Sequence, residues 1–114
     1  MFSSLFPPST NTPLHTAVEN RDLDIVELLL SKGVNVNARG DNGRTPLHLA
    51  SGRKDAFINP PTANCDVDII KILIKHGADV NARSIGGKTP LNYALENRCK
   101  DAVIFLLENG ADPN

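Results

Sequence analysis

A chain of 114 residues is about one domain long, and its 40% hydrophobic and 22% charged residues fit a water-exposed fold with a modest core. Twelve Lys and Arg against thirteen Asp and Glu give a net charge of −1, which excludes a global electrostatic draw toward nucleic acid or anionic lipid. Aromatics are only 4% with no Trp, so the core must be aliphatic. No apolar run approaches the roughly 20 residues needed to span a bilayer.

Residues 1–11, opening "MFSSLFPP", lack the basic start and continuous apolar stretch of a signal peptide. An intracellular location, cytoplasmic or nuclear, is therefore expected, and Cys65 and Cys99 are expected to be free thiols. Two fates are open for residues 1–11: a cap that lays Phe2, Leu5 or Phe6 over the first helices, or a frayed tail.

From Thr12 onward the chain repeats. "TPLHTA" at Thr12 returns as "TPLHLA" at Thr45 and "TPLNYA" at Thr89. In step with it run "DIVELLLSKGVNVNAR" from Asp24, "DIIKILIKHGADVNAR" from Asp68 and "DAVIFLLENGADPN" from Asp101. Each Thr can cap a helix through its hydroxyl, and the Pro after it suits the first helical position, where its missing N–H is not needed. Asp24, Asp68 and Asp101 introduce a second, more apolar helix, which Gly33, Gly77 and Gly110 end as left-handed caps. In "DIVELLL" apolar side chains cover most of the helix, leaving a narrow wet face around Glu27. Such a helix needs neighbours on both sides, which stacked units supply. At the position of Glu27 and Lys71 the third unit carries Ile104. That substitution implies cover by a partner, by further repeats or by a second copy through the C-terminal face, unless Ile104 is simply exposed.

The 33-residue spacing of the first two units and the T-P-L-H-x-A opening resemble the ankyrin repeat, over about residues 11–114. The resemblance implies an all-α solenoid of stacked helix-turn-helix units with β-hairpin-like connecting loops. Its expected divisions are an N-terminal segment at 1–11, repeats at 12–44 and 45–88, and an incomplete repeat at 89–114. Departures from the family pattern are Asn92 for the His, Val34-Asn35 for Ala-Asp, and Arg21 and Arg98 where Gly usually precedes the second helix. Asn20 and Asn97 beside these arginines are expected to absorb the positive φ of that turn.

The second unit holds eleven extra residues, about 53–63, between its helices. Gly52 and the Pro60-Pro61 pair forbid a continuous helix there, so a bulging loop is expected. Three roles are open for it: inert insertion, packing of Phe57 and Ile58 on neighbouring helices, or partner contact through Arg53, Lys54, Phe57 and Ile58.

Catalytic patterns are absent: no glycine-rich phosphate loop, no GxSxG elbow and no HExxH. Cys65 with Asp66 and Asp68 lacks the further donors a zinc site needs. Stacked helices 8–10 Å apart put Cys65 and Cys99 beyond disulfide reach. No enzyme activity, cofactor or metal is expected. His15 and His48 hold one repeated position, and the resemblance implies that each bonds the neighbouring loop backbone.

The resemblance also implies recognition of proteins along a concave face of hairpin tips and first helices. The positions that the fold leaves free there are Arg39, Asp41, Asn42 and Arg44 on the first hairpin, and Arg83, Ile85 and Lys88 on the second. Glu19, Asn20, Arg53, Glu96 and Asn97 follow at the first-helix ends, with Phe57 on the insertion. Four basic side chains on the hairpin row face only Asp41, so an acidic or phosphorylated peptide is the partner class that the row suggests, unless the row is only a solvated rim. The basic residues have no interleaved aromatics, which argues against nucleic acid. Asn37 and Asn81 match the position that asparaginyl hydroxylases modify in similar repeats. The alternative to a binding module is a scaffold fragment of a larger multi-repeat protein, such as a toxin or a microbial or viral host-directed protein acting inside a host cell.

Overall fold

The computed structural model describes residues 9–52 and 65–113. The expected N-terminal cap and the insertion, with Arg53, Lys54, Phe57 and Ile58, lie outside the described residues. Among the described residues, six α-helices alternate in two rows. The first row is α1 (Pro13–Glu19), α3 (Pro46–Ser51) and α5 (Pro90–Glu96), and the second is α2 (Leu23–Ser31), α4 (Val67–Lys75) and α6 (Lys100–Glu108). Each helix packs on its partner within the unit and on its counterpart in the next, which makes a stack of three helix pairs. No strand occurs among the described residues, and none of the helices there is long and apolar enough to cross a membrane.

The first-row helices start as the sequence dictates. Thr12, Thr45 and Thr89 have extended φ/ψ, accept from the backbone N–H three residues on, and are followed by Pro at the first helical position. Their inward faces put Leu14, Leu47 and Leu91 at 3% exposure or less, with Ala17, Ala50 and Ala94 beneath the second row. Burying one such Leu contributes about 1.5–3 kcal/mol. The small Ala lets the helices approach.

The second-row helices start one residue before the expected acids, with their N-caps two residues before. Asp22 caps α2 by accepting from Ile25 N–H at 3.3 Å, and Asp66 caps α4 by accepting from Ile69 N–H at 3.2 Å. Asp24, Asp68 and Asp101 sit within the first turns, where a negative charge favours the helix dipole. In the third unit the cap position is Cys99, which makes no side-chain capping bond. Gly33, Gly77 and Gly110 follow the second-row helices with φ of 84°, 92° and 96°, as expected of left-handed caps.

Burial along the second row differs from end to end. Ile69, Ile70 and Leu73 of the central α4 are fully buried. In α2 only Val26 and Leu30 are buried, while Ile25 and Leu28 are 41% and 52% exposed, so its wet face is wider than Glu27 alone. α6 leaves Ile104 and Leu107 about two-fifths exposed.

Two expectations are corrected. The positive φ before each second helix falls on Arg21 and Arg98 themselves, both at 56°, whereas Asn20 and Asn97 keep negative φ as helix C-caps. Cys65 and Cys99 are not free thiols: they form a disulfide with a Cα–Cα distance of 6.4 Å. The helix-axis spacing is the wrong measure for this pair. Both residues lie in the turns that lead into the second-row helices, where the backbones approach more closely than the axes do.

Candidate functional site

The loops between units are hairpin-like without strand pairing. Gly40 N–H donates to Arg44 O, and Ser84 N–H donates to Lys88 O, each at 2.8 Å, closing two equivalent tips. Ile85 N–H donates to Asn42 O at 2.9 Å, so the tips touch and form a continuous row.

The buried histidines hold that row to the first helices. Thr45 N–H donates to His48 Nδ1 at 3.0 Å, so Nδ1 is the acceptor and the imidazole proton sits on Nε2. Nε2–H then donates to Lys88 O at 2.8 Å, in the loop that leads into the next unit. His15 repeats the arrangement with Thr12 N–H at 3.0 Å and Arg44 O at 2.9 Å. Burial pushes the His48 pKa below its ordinary value, although the bond to Lys88 O pulls it up; nearby Arg39 lowers it further. Asn92 performs half of the histidine's task. Its Oδ1 accepts from Thr89 N–H at 2.9 Å, and the shorter side chain stays exposed.

Asn37 and Asn81 form a second set of cross-unit bonds. Asn37 accepts from Asp79 N–H at 2.7 Å and donates to Gly77 O at 3.2 Å. Asn81 accepts from Asp112 N–H at 2.8 Å and donates to Gly110 O at 3.1 Å. Asn35 in the first unit supplies the local turn bond to Asn37 N–H that Asp79 supplies to Asn81 N–H, both at 2.9 Å, so the departure at that position keeps its chemistry.

The basic row is less free than its charges suggest. Arg39 Nη1 donates to Gly43 O at 2.9 Å and also to Arg83 O, fastening one tip to the next. Arg44 Nε donates to Asp41 O at 3.2 Å. Lys88 Nζ lies 2.6 Å from Glu96 Oε2, which raises the Lys88 pKa and joins the second tip to the end of α5. Asp41 accepts from Thr10 N–H at 2.7 Å and from Ser9 Oγ at 2.9 Å. These bonds, the backbone one first, hold its carboxyl below the usual range. Arg83 remains exposed with its guanidinium unbonded among the described residues, beside Ile85 at 82% exposure.

Of the first-helix positions, Glu19 is half-buried and Asn20 is the exposed C-cap of α1. Asn97 is half-buried and donates to Tyr93 O at 2.8 Å. The structure thus brings together Asn42, Arg83, Ile85, Lys88 and Glu96. It turns Arg39, Arg44 and Asp41 toward internal bonds. A polar cleft of about 230 Å³ lies beside the row, lined by Asn81, Arg83, Thr89, Asn92, Asp112 and Pro113. No group of three or more His, Cys, Asp or Glu disposed to hold a metal occurs among the described residues. The structural uses of Arg39 and Asn37 were missed by sequence reasoning. Their recurrence at fixed repeat positions, in "NAR", was the available signal.

Comparison with known proteins agrees with this geometry. A family model described as Ankyrin repeats (3 copies) matches residues 3–58 and 62–114. The chain is 53% identical over 45 residues to the B-cell lymphoma 3 protein homolog of Mus musculus, a match covering 40% of this chain and 10% of that protein. It is 50% identical over 38 residues to the NF-kappa-B inhibitor cactus of Drosophila melanogaster, covering 32% and 8%. A match of 43% over 47 residues to Alpha-latrocrustotoxin-Lt1a of Latrodectus tredecimguttatus covers 41% of this chain and 3% of the toxin. The chain therefore spans a small part of each of these relatives.

Proposed function

Because this chain belongs to the ankyrin-repeat family, whose repeats generally mediate protein–protein contact rather than catalysis, we propose that it is a non-enzymatic module that binds a partner protein along its loop row and first-helix ends. The observation that carries this reading is the Lys88–Glu96 pair: it joins a loop tip to a first-helix end, with exposed Ile85 and an Arg83 guanidinium unbonded among the described residues on the same tip. An acidic or phosphorylated peptide fits that patch, since a free guanidinium can fork two bonds to carboxylate or phosphate while Ile85 supplies apolar contact. A peptide array of acidic and phosphorylated sequences, read with wild type and with Arg83→Glu/Ile85→Ser, tests it. Loss of the captured peptides in the variant is expected, and unchanged capture would place binding elsewhere. An intracellular setting goes with this reading.

The exposed Ile104 and Leu107 favour a second reading, in which these repeats serve as a scaffold segment within a longer stack. Appending one consensus repeat after Asn114 should then raise the melting temperature by several degrees with the chain still monomeric. A concentration-dependent dimer of the chain as given would instead support self-association through that face.

A further inference from the structure

The disulfide occupies a position that the repeat pattern gives to something else. In register, Arg21-Asp22, Cys65-Asp66 and Arg98-Cys99 are equivalent pairs, and Asp22 and Asp66 cap their helices. Cys99 replaces the capping carboxylate, and in the disulfide its sulfur makes no capping bond to α6. The bond thus links the two turns that lead into α4 and α6.

We propose that Cys65–Cys99 is a reversible thiol–disulfide site, taking small thiols of the glutathione class as its substrate, whose reduction unfastens the seam between the second and third repeats. Access and electrostatics both suit exchange. Cys65 is half-buried whereas Cys99 is 6% exposed, and an open cleft of about 320 Å³ is lined by Cys65, Val67, Arg98, Cys99, Lys100 and Asp101. An incoming thiolate attacks the Cys65 sulfur, the S–S bond breaks, and Cys99 leaves as a thiolate beside Arg98, Lys100 and the unsatisfied N–H groups of the first turn of α6. A second small thiolate then attacks the mixed disulfide and frees Cys65, and the small-molecule disulfide departs. Two electrons and two protons end on the protein sulfurs, and the reverse sequence with the small disulfide restores the bond. Reduction also lets Cys99 serve α6 as a weak cap, so a link between repeats is exchanged for a bond within one.

The test uses the full chain equilibrated in glutathione buffers running from fully reduced to fully oxidised. Samples are acid-quenched, alkylated and weighed by mass spectrometry, with hydrogen exchange measured in parallel. The expected result is one transition within the series in which both thiols appear together. With it, amide exchange in the first turns of α4 and α6 should quicken about tenfold, while α1 and α2 stay unchanged. Cys65→Ala/Cys99→Ala should exchange at least as fast as the reduced chain in every buffer. A disulfide that survives reduced glutathione alone, thiols that persist in oxidised glutathione alone, or a reduced wild type with unaltered exchange would each overturn the proposal. These readouts involve no binding partner, so their failure leaves the function proposed above untouched.

Discussion

His48 Nε2 donates to Lys88 O at 2.8 Å while Nδ1 of the same ring accepts from Thr45 N–H, so one neutral imidazole both caps α3 and holds the loop that leads into the next repeat. Replacing it with Asn tests the two tasks separately, because Asn92 already performs the capping half in the third repeat. His48→Asn should cost about 2 kcal/mol in urea unfolding, chiefly from the lost bond to the Lys88 carbonyl. His48→Ala should cost about 1 kcal/mol more, since the cap goes too.

The same ring sets a pH dependence. Its folded pKa lies below its ordinary value of about 6.5, so the unfolded chain binds the proton more readily. The contribution to stability is therefore complete above about pH 6.5 and is lost as pH falls through the lower, folded value. Thermal melts from about pH 7.5 down to pH 5 should show a falling melting temperature that flattens in His48→Asn. An equal slope in both proteins would assign the effect to other groups.

Asn37 makes two bonds to the second repeat through one side chain. Asn37→Ala should destabilise by about 1–2 kcal/mol, and Asn37→Asp should recover less than half of that, because a carboxylate can accept from Asp79 N–H but cannot donate to Gly77 O. Chemical denaturation of the three proteins decides it.

Gly40 has an ordinary φ of −108°, so its constraint is space rather than backbone angle. A Cβ there would stand 2.1 Å from Asn11 Oδ1, the acceptor for Asp41 N–H at 2.9 Å. Gly40→Ala should therefore lower stability by about 1–3 kcal/mol. Gly40→Ala/Asn11→Ala should lose less than the sum of the two single changes, a non-additivity measurable by a double-mutant cycle.

With the disulfide reduced, Cys99→Asp should stabilise the chain by about 1 kcal/mol, by giving α6 the cap that Asp22 and Asp66 give α2 and α4. Thermal melts of both proteins in excess reductant compare them directly. Lower stability of the variant would mean that the third turn cannot seat a carboxylate.

The parts legible in the sequence are those whose cause is local. The Thr caps, the Pro beside them and the glycines after the second helices each follow from one residue and its neighbours, and their 33-residue recurrence announces the stack. The disulfide was hidden because axis spacing describes helices, whereas Cys65 and Cys99 sit in turns whose Cα atoms are 6.4 Å apart. The clue was in the register, where Cys99 stands in line with two capping aspartates. The bonds of the basic loop row were hidden for another reason: charge can be counted from sequence, but not that Arg39 donates to neighbouring carbonyls and Lys88 to Glu96. Arg83 and Arg39 look alike in the string and differ only in what lies within reach. For the position of Arg21 and Arg98, small polar neighbours were expected to take the strained angle, but the position in the turn, rather than residue preference, decides which residue bears it.

Three side-chain bonds to backbone point one way across the repeats. Asn37 reaches Gly77, Arg39 reaches Arg83 and Asn81 reaches Gly110, each a side chain in one repeat gripping the backbone of the next, while His15 and His48 grip Arg44 and Lys88 at the ends of their own repeats, in the loops that lead onward. The stack therefore has a polarity, like a row of hooks whose eyes are peptide groups. Because every residue type offers the same peptide group, the gripped loops can vary in side chain without weakening the hold. Sequence drift is thus mechanically cheap at the gripped Arg44, Arg83 and Lys88, whereas Gly77 and Gly110 are held to glycine by their positive φ.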